Sequence, residues 1–332
     1  MAENSVWLLA LVITLAIVFD FANGFHDASN AIATVVSTRV LTPLIAVLMA
    51  AAMNFLGALS GTAVAKVVGA GIVDTHSVTL AIVAAGVAAA ATWEFVTLRL
   101  GLPVSGSHAL IGGVAGAAIA TAGFGVLQEP GIQKVLLGMF FSLVLGLFGG
   151  YLLMLALYWL FRSAGPSTVN RLFGRLQILS SAAMAYSHGS NDAQKTMGII
   201  ALALFAGHKI DSFYIPFWVI ALSATVMALG TSVGGWRIVQ TLGVRIVKMR
   251  PVNGFAAETA AAAVIESASR LGIPLSTTHT ITSTILGQGA TRSPSAVRWG
   301  VARRIVVAWV LTFPFCGLLA AFLVKLLQMV VR

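Results

Sequence analysis

Apolar runs of about 18 residues or more, each long enough to cross a bilayer as a helix, recur along this 332-residue chain. In the first half they fall at 6–38, 43–71, 78–99, 104–123 and 134–161. In the second they fall at 176–206, 214–235, 253–270, 275–290 and 305–331. Only 9% of residues are charged, against about 25% in a soluble domain, too few to cover a water-exposed surface. The pattern specifies a polytopic, all-α membrane protein and excludes a soluble enzyme, a nucleic-acid binder and a disordered scaffold. The net charge of +10 fits the excess of Lys and Arg in cytoplasmic loops better than nucleic acid. Cys316 is the single cysteine, so no intrachain disulfide forms. Met1–Ser5 carries Glu3 and lacks a basic n-region, so the first run is expected to be retained.

The chain is written twice. L-G-L-P-V-S-G-S-H (100–108) returns as L-G-I-P-L-S-T-T-H (271–279), 171 residues on. N-G-F-H-D-A (23–28) returns as H-G-S-N-D-A (188–193), 165 residues on. The expected organisation is a first transmembrane repeat over 1–165 and a second over 166–332. Five runs per half, about ten in all, make the second half enter from the opposite side. This is the inverted-topology arrangement of many secondary transporters. Threaded with the N-terminus outside, the inner connections hold thirteen Lys or Arg and the outer ends six (Lys66, Lys134, Lys209, Arg270, Lys325, Arg332). Both termini are therefore expected outside. Whether 78–99 and 104–123 span or form a re-entrant hairpin stays open. Glycines four apart (Gly57/Gly61, Gly112/Gly116, Gly146/Gly150, Gly230/Gly234) predict close helix packing.

Two polar stretches interrupt the first run of each half: Asp20–Asn30 and Tyr186–Thr196. Carboxylates at membrane depth are costly and mark function. Glycine beside them predicts an unwound helix, tolerated only where it is buried in protein or lines a cavity. Asn23, Asp27 and Asn30, with Asn191 and Asp192, form a hard-oxygen set suited to sodium; a carboxylate there could instead carry a proton.

The repeated P-V-S-G-S-H and P-L-S-T-T-H segments each lead into an apolar run. Proline near a helix start and Ser or Thr at the cap are favoured there. The first turns, at Ser105, Gly106 and Ser107 and at Ser276, Thr277 and Thr278, then present unpaired N–H groups, hydroxyls and the positive dipole end. That is an anion site with no cationic side chain. Two such turns from inverted repeats can meet near the midplane around a tetrahedral oxyanion.

Four of the six histidines (His26, His108, His188, His279) lie in these motifs, where helix-terminal hydrogen bonding is the expected role; no metal-binding spacing accompanies them. Glu258, on a small-residue helix, is a candidate coupling residue. Glu94 and Glu266 are expected to pair with Arg99 and Arg270. Lys195 either neutralises Asp192 or contacts the anion.

On these residues the sequence resembles the PiT family of inorganic phosphate transporters. G-F-H-D-A-S-N-A-I-A-T (24–34) is similar to its first signature and H-G-S-N-D-A-Q-K-T-M-G (188–198) to its second. The resemblance implies an inverted-repeat fold and phosphate uptake driven by sodium or protons. It implies cations at Asp27, Asn30, Asn191 and Asp192, and phosphate at Ser105, Ser107, Ser276, Thr277 and Thr278. The long hydrophilic loop of some members is absent; only Arg162 to Arg175 joins the halves. Asn54 stands where some relatives carry glutamate, and Glu94 where some carry an amide.

The expected activity is a non-enzymatic symport of inorganic phosphate with Na+ or H+ by alternating access, in the plasma (inner) membrane and without a cofactor. A sulfate or other oxyanion symporter of the same fold is the alternative, and an anion channel the next. The partners are phosphate, the coupling cation and lipid, with a homo-oligomer left open and nucleic acid excluded.

Overall fold

The computed structural model describes residues 6–331, with side chains to residue 329. Of the readings above, those on Met1–Ser5 and Arg332 lie outside the described residues. The first half contains α1 (Val6–Ser37), α2 (Pro43–Ala58), α3 (Ala63–Ala70), α4 (Leu80–Leu100), α5 (Gly106–Ala122) and α6 (Glu129–Leu160). The second contains α7 (Pro166–Ala206), α8 (Phe217–Val233), α9 (Trp236–Gln240, continued by a π turn over Thr241–Arg245), α10 (Pro251–Arg270), α11 (Thr277–Ala290) and α12 (Trp299–Val331). Among the described residues there is no strand, only one isolated bridge between Val73 and Leu127.

Helices α1, α4, α6 and α12 are each long and apolar enough to cross a membrane. The pairs α2/α3 and α8/α9 bend by 73° and 61° at short breaks and can each count as one more span. Length and apolarity thus mark four to six spans. The remaining runs form helices that are short, like α5, or rich in polar side chains, like α7 and α11.

The structure corrects the expectation of unwound helices. The polar stretches do not unwind their helices: α1 runs unbroken through Asp20–Asn30, and α7 through Tyr186–Thr196. The polar side chains bond one another across helices, so the backbone ladder need not open. The glycines serve close approach instead. A Cβ on Gly24 would lie 2.4 Å from the Met227 carbonyl oxygen, and one on Gly189 2.2 Å from that of Asn54. The discontinuities sit elsewhere, at the α2/α3 and α8/α9 bends and in the two hairpin turns.

Those turns share one design. Gly101 (φ 66°) and Gly272 (φ 67°) end α4 and α10 in the left-handed region that glycine adopts without penalty. The following amides then close the helix ends, Leu102 N–H on Thr97 O at 3.0 Å and Ile273 N–H on Ala268 O at 2.9 Å. Each chain turns back into Ser105 or Ser276, the caps of α5 and α11.

Packing exchanges the last helix of each half: α6 lies on α10 and α11, and α12 on α4 and α5. Helix α1 contributes Leu8–Phe19 to one apolar core and Ala31–Val35 to another, so the two cores lie toward opposite ends of a helix about 48 Å long. The first core takes Val73, Val126, Leu204 and Val324; the second takes Val47, Ile246, Val297 and Ala302. Helix α5 runs toward the first end and α11 toward the second, from starts that face each other. Most of the expected glycine contacts are present: Gly116 meets Gly317, Gly150 meets Thr284 O, and Gly230 meets Phe21 O.

Candidate functional site

Helices α1 and α7 lie antiparallel, with the Thr196 hydroxyl on Asp20 (2.8 Å) and the Ser181 hydroxyl on the Ala31 carbonyl (2.8 Å). This register sets the two polar motifs side by side. Apart from the half-buried Phe21, Phe25 and Tyr186, their side chains are buried: Asp27 is 1% exposed, Asp192 3%, Asn30 and Asn191 0%.

The two Ser/Thr turns meet this pair. In each, the cap serine accepts from an amide one turn in: Ser105 Oγ from His108 N–H at 3.2 Å, Ser276 Oγ from His279 N–H at 3.1 Å. With its oxygen so engaged, each serine keeps its hydroxyl hydrogen for another acceptor. The turns are face to face, since Ser107 Oγ donates to Leu275 O at 3.0 Å and the His108 and His279 rings lie 4.5 Å apart. Helix α12 backs this junction: Trp309 Nε1 donates to Pro103 O at 2.9 Å, and Phe313 stacks on His108.

The α11 turn is wired to both carboxylates. Thr278 Oγ1 donates to Asp27 Oδ2 at 3.1 Å and Thr277 Oγ1 to Asp192 Oδ2 at 3.0 Å. Asn30 Nδ2 donates to both threonines, at 3.0 Å to Thr278 and 3.4 Å to Thr277. His26 Nδ1 lies 2.7 Å from Asp27, and His188 Nε2 lies 3.3 Å from Asp192 and 3.9 Å from Asp27. Lys195 Nζ bonds Asp192 and also donates to Leu275 O (3.1 Å), so it neutralises the acid and reaches the turn. One atom each of Asp27, His188 and Asp192 lies within 4.8 Å of the others. Two buried acceptors, Asn30 Oδ1 and Asn191 Oδ1, have no hydrogen-bond partner among the described residues.

Asn23 and Gly106 are at the edge of this cluster: a Cβ on Gly106 would lie 2.2 Å from Asn23 Nδ2 and 2.8 Å from Glu94 Oε1. Glu94 does not pair with Arg99. It is fully buried with His26 Nδ1 3.4 Å away. Residues five apart on a helix point about 140° apart, so the two side chains cannot meet. Glu266, four residues from Arg270, does pair with it at 2.9 Å and accepts from Ser190 at 3.0 Å. Glu258 is set apart from the Asp27–Asp192 cluster, its carboxylate bonded by Thr34, Ser180 and Gln177 (3.2 Å for the last).

The histidines divide. His26 and His188 sit mid-helix, bonded to Asp27 and Asn54, rather than at helix ends. His108 and His279 cap through their backbone, while His108 Nδ1 and both ring nitrogens of His279 stay unpartnered. Sequence reasoning missed Thr34, Gln177 and Ser180 around Glu258, and the Asn54–Thr231 bond (2.8 Å) beside His188. These five polar residues are spread over α1, α2, α7 and α8, with only Gln177 and Ser180 on one helix, and form no repeated motif; only Asn54, alone in an apolar run, carried a signal.

Long apolar helices close around a buried polar cluster where two helix starts converge, and the family and relatives that match make the class a transporter, not an enzyme. Residues 23–320 match the model of the phosphate transporter family. The chain belongs to that family. It is 48% identical over 316 residues to a Rhizobium meliloti protein named "Probable low-affinity inorganic phosphate transporter", covering 95% of each chain. A Bacillus subtilis protein of the same name is 43% identical over 97% of this chain and 98% of its own. Among solved structures, one named "The sodium-dependent phosphate transporter" superposes with a TM-score of 0.90 at 24% identity, covering 97% of this chain and 99% of that one; this likeness shows the fold.

Proposed function

We propose that the chain carries inorganic phosphate together with a cation, binding both at the junction of the two turns and exposing them alternately to either side. The observation that carries the reading is the pair of threonine hydroxyls shared between the anion turn and the two buried aspartates. Phosphate is held by the α5 and α11 first turns, through Ser105, Gly106 and Ser107 and through Ser276, Thr277 and Thr278, where free amides and the helix dipoles favour an anion. The cation is held by Asp27 and Asp192 with Asn30 and Asn191, and Asn23 at the edge. The orphaned amide oxygens of Asn30 and Asn191 fit a hard cation.

Coupling follows from hydrogen-bond capacity. A threonine hydroxyl has one hydrogen, which goes either to the carboxylate or to phosphate. Phosphate binding therefore strips Asp27 and Asp192 of a donor, and a buried carboxylate left so is stabilised by a cation. The linkage is reciprocal: the cation releases the hydroxyls toward phosphate. The similar solved structure is that of a sodium-dependent transporter, which makes Na+ the first ion to test, with H+ the other. Glu258, held by three donors from α1 and α7, is a secondary coupling candidate.

The mirrored hairpin turns and exchanged last helices support two inverted repeats, 1–165 and 166–332, with about ten membrane segments. The basic loops gather at one end, where Arg298 N–H meets Ile246 O and Arg237 meets Arg99 O. That end would face the cytoplasm and leave both termini outside. The test is radiolabelled phosphate uptake into proteoliposomes under imposed Na+ or H+ gradients, with sulfate as competitor. Uptake that follows neither gradient refutes the reading. Asp27→Asn and Asp192→Asn should each abolish gradient-driven uptake.

A further inference from the structure

A cavity of about 1150 Å³ opens at the basic end, well away from the buried turns. Three separate stretches of chain converge on it. Arg162 comes from the connection between α6 and α7, Lys248 and Arg250 from the segment entering α10, and Arg292 and Arg298 from the segment leaving α11. None of the five has a salt-bridge partner among the described residues. The sequence holds no Asp or Glu from 130 to 191, from 212 to 257, or after 266. The preference for basic cytoplasmic loops accounts for the sign of this end. It does not account for five cations from three segments lining one concavity.

We propose that this cavity is a second anion site, taking a ligand that bears several phosphate groups. Its size exceeds the roughly 300–1,000 Å³ of drug-sized pockets, far more than one orthophosphate fills. Each cation alone is exposed and contributes little. A concave wall of one sign concentrates multivalent anions by its summed field, and a ligand spanning the cavity meets several cations at once. The floor is the Asn253–Gln288 hydrogen bond (2.9 Å), which joins α10 to α11. Helix α11 begins at the Thr277–Thr278 turn, so the cavity and the phosphate turn are opposite ends of one 14-residue rod. A polyanion held between Arg162 and Arg292 ties the mouth of the α10–α11 hairpin to the connection between the halves. Occupancy therefore slows any cycle in which that hairpin shifts. This last step rests on the transport reading; the binding does not.

The experiment titrates tripolyphosphate onto the full chain in nanodiscs of zwitterionic lipid by calorimetry, beside orthophosphate and the triple variant Arg162→Gln/Arg250→Gln/Arg292→Gln. A second set of discs contains cardiolipin, whose two-phosphate headgroup offers the same chemistry from the bilayer, with retained lipid read by native mass spectrometry. Tripolyphosphate should bind about tenfold or more tighter than orthophosphate, weaken about tenfold when salt rises from low to physiological screening, and lose about tenfold or more in the triple variant. Thr278→Val should leave this binding unchanged. Cardiolipin retention that the triple variant loses would assign the same cluster to a headgroup. Binding of both ligands equal in wild type and triple variant overturns the site. Phosphate uptake unchanged by saturating tripolyphosphate on the basic side overturns the control of transport and leaves the binding result standing.

Discussion

Replacing Thr278 by valine keeps the side-chain shape and removes only the hydroxyl. In the structure that hydroxyl donates to Asp27 (3.1 Å) and accepts from Asn30 (3.0 Å), at a position 1% exposed. A hydrogen bond to a charged group contributes about 1.5–3 kcal/mol. If phosphate competes with Asp27 for that hydrogen, the same energy is the most this link can lend to coupling. At about 1.4 kcal/mol per factor of ten, phosphate should tighten cation binding by about 10- to 150-fold through the link. In Thr278→Val that factor should fall, leaving only the parallel Thr277–Asp192 link. Ser107, the residue 171 positions earlier, is the control. Its hydroxyl bonds the Leu275 carbonyl, not a carboxylate. Ser107→Ala removes a donor to the phosphate anion, a bond to a charged group of about 1.5–3 kcal/mol, and should weaken phosphate by up to about 10- to 150-fold while leaving coupling intact. The assay is cation titration of purified protein by calorimetry, with and without saturating phosphate, plus gradient-driven uptake. A folded Thr278→Val protein with the full wild-type coupling factor would refute the shared-hydroxyl mechanism.

Lys195→Met strands a buried Asp192 and should lower the thermal midpoint as expected for a loss of about 3–5 kcal/mol; Lys195→Met/Asp192→Asn should recover most of that stability. If the double variant is no more stable than the single, the pair does not neutralise itself as described. Gly189→Ala places a Cβ 2.2 Å from the Asn54 carbonyl oxygen and should cost at least about 1–3 kcal/mol. Gly174→Ala, with nothing within 4 Å, should be neutral or stabilising, so equal thermal melts for the two would contradict the packing. Arg270→Gln removes a pair 78% exposed on the arginine side and should shift stability by less than about 1 kcal/mol in a denaturation curve.

The sequence alone determined the class and the parts. Recurring apolar runs with sparse charge specify membrane helices, because lipid admits only helices and closed barrels, and barrel strands are about ten residues of alternating polarity rather than long apolar runs. Duplicated motifs marked the residues that meet in the buried cluster, and the i, i+4 spacing of Glu266 and Arg270 was enough to pair them. Whether the polar stretches stay helical was decided by the fold: Asp27, Asn30 and Asp192 found partners on α11 and α7 itself, so no backbone had to open to solvate them. The same holds for Glu94, drawn to His26 rather than Arg99, and for Glu258 among Thr34, Gln177 and Ser180. Local spacing fixes what one helix presents on each face. Which buried donor meets which acceptor depends on contacts between residues up to 251 positions apart, as in Thr278 and Asp27, and only the packed helices set those distances.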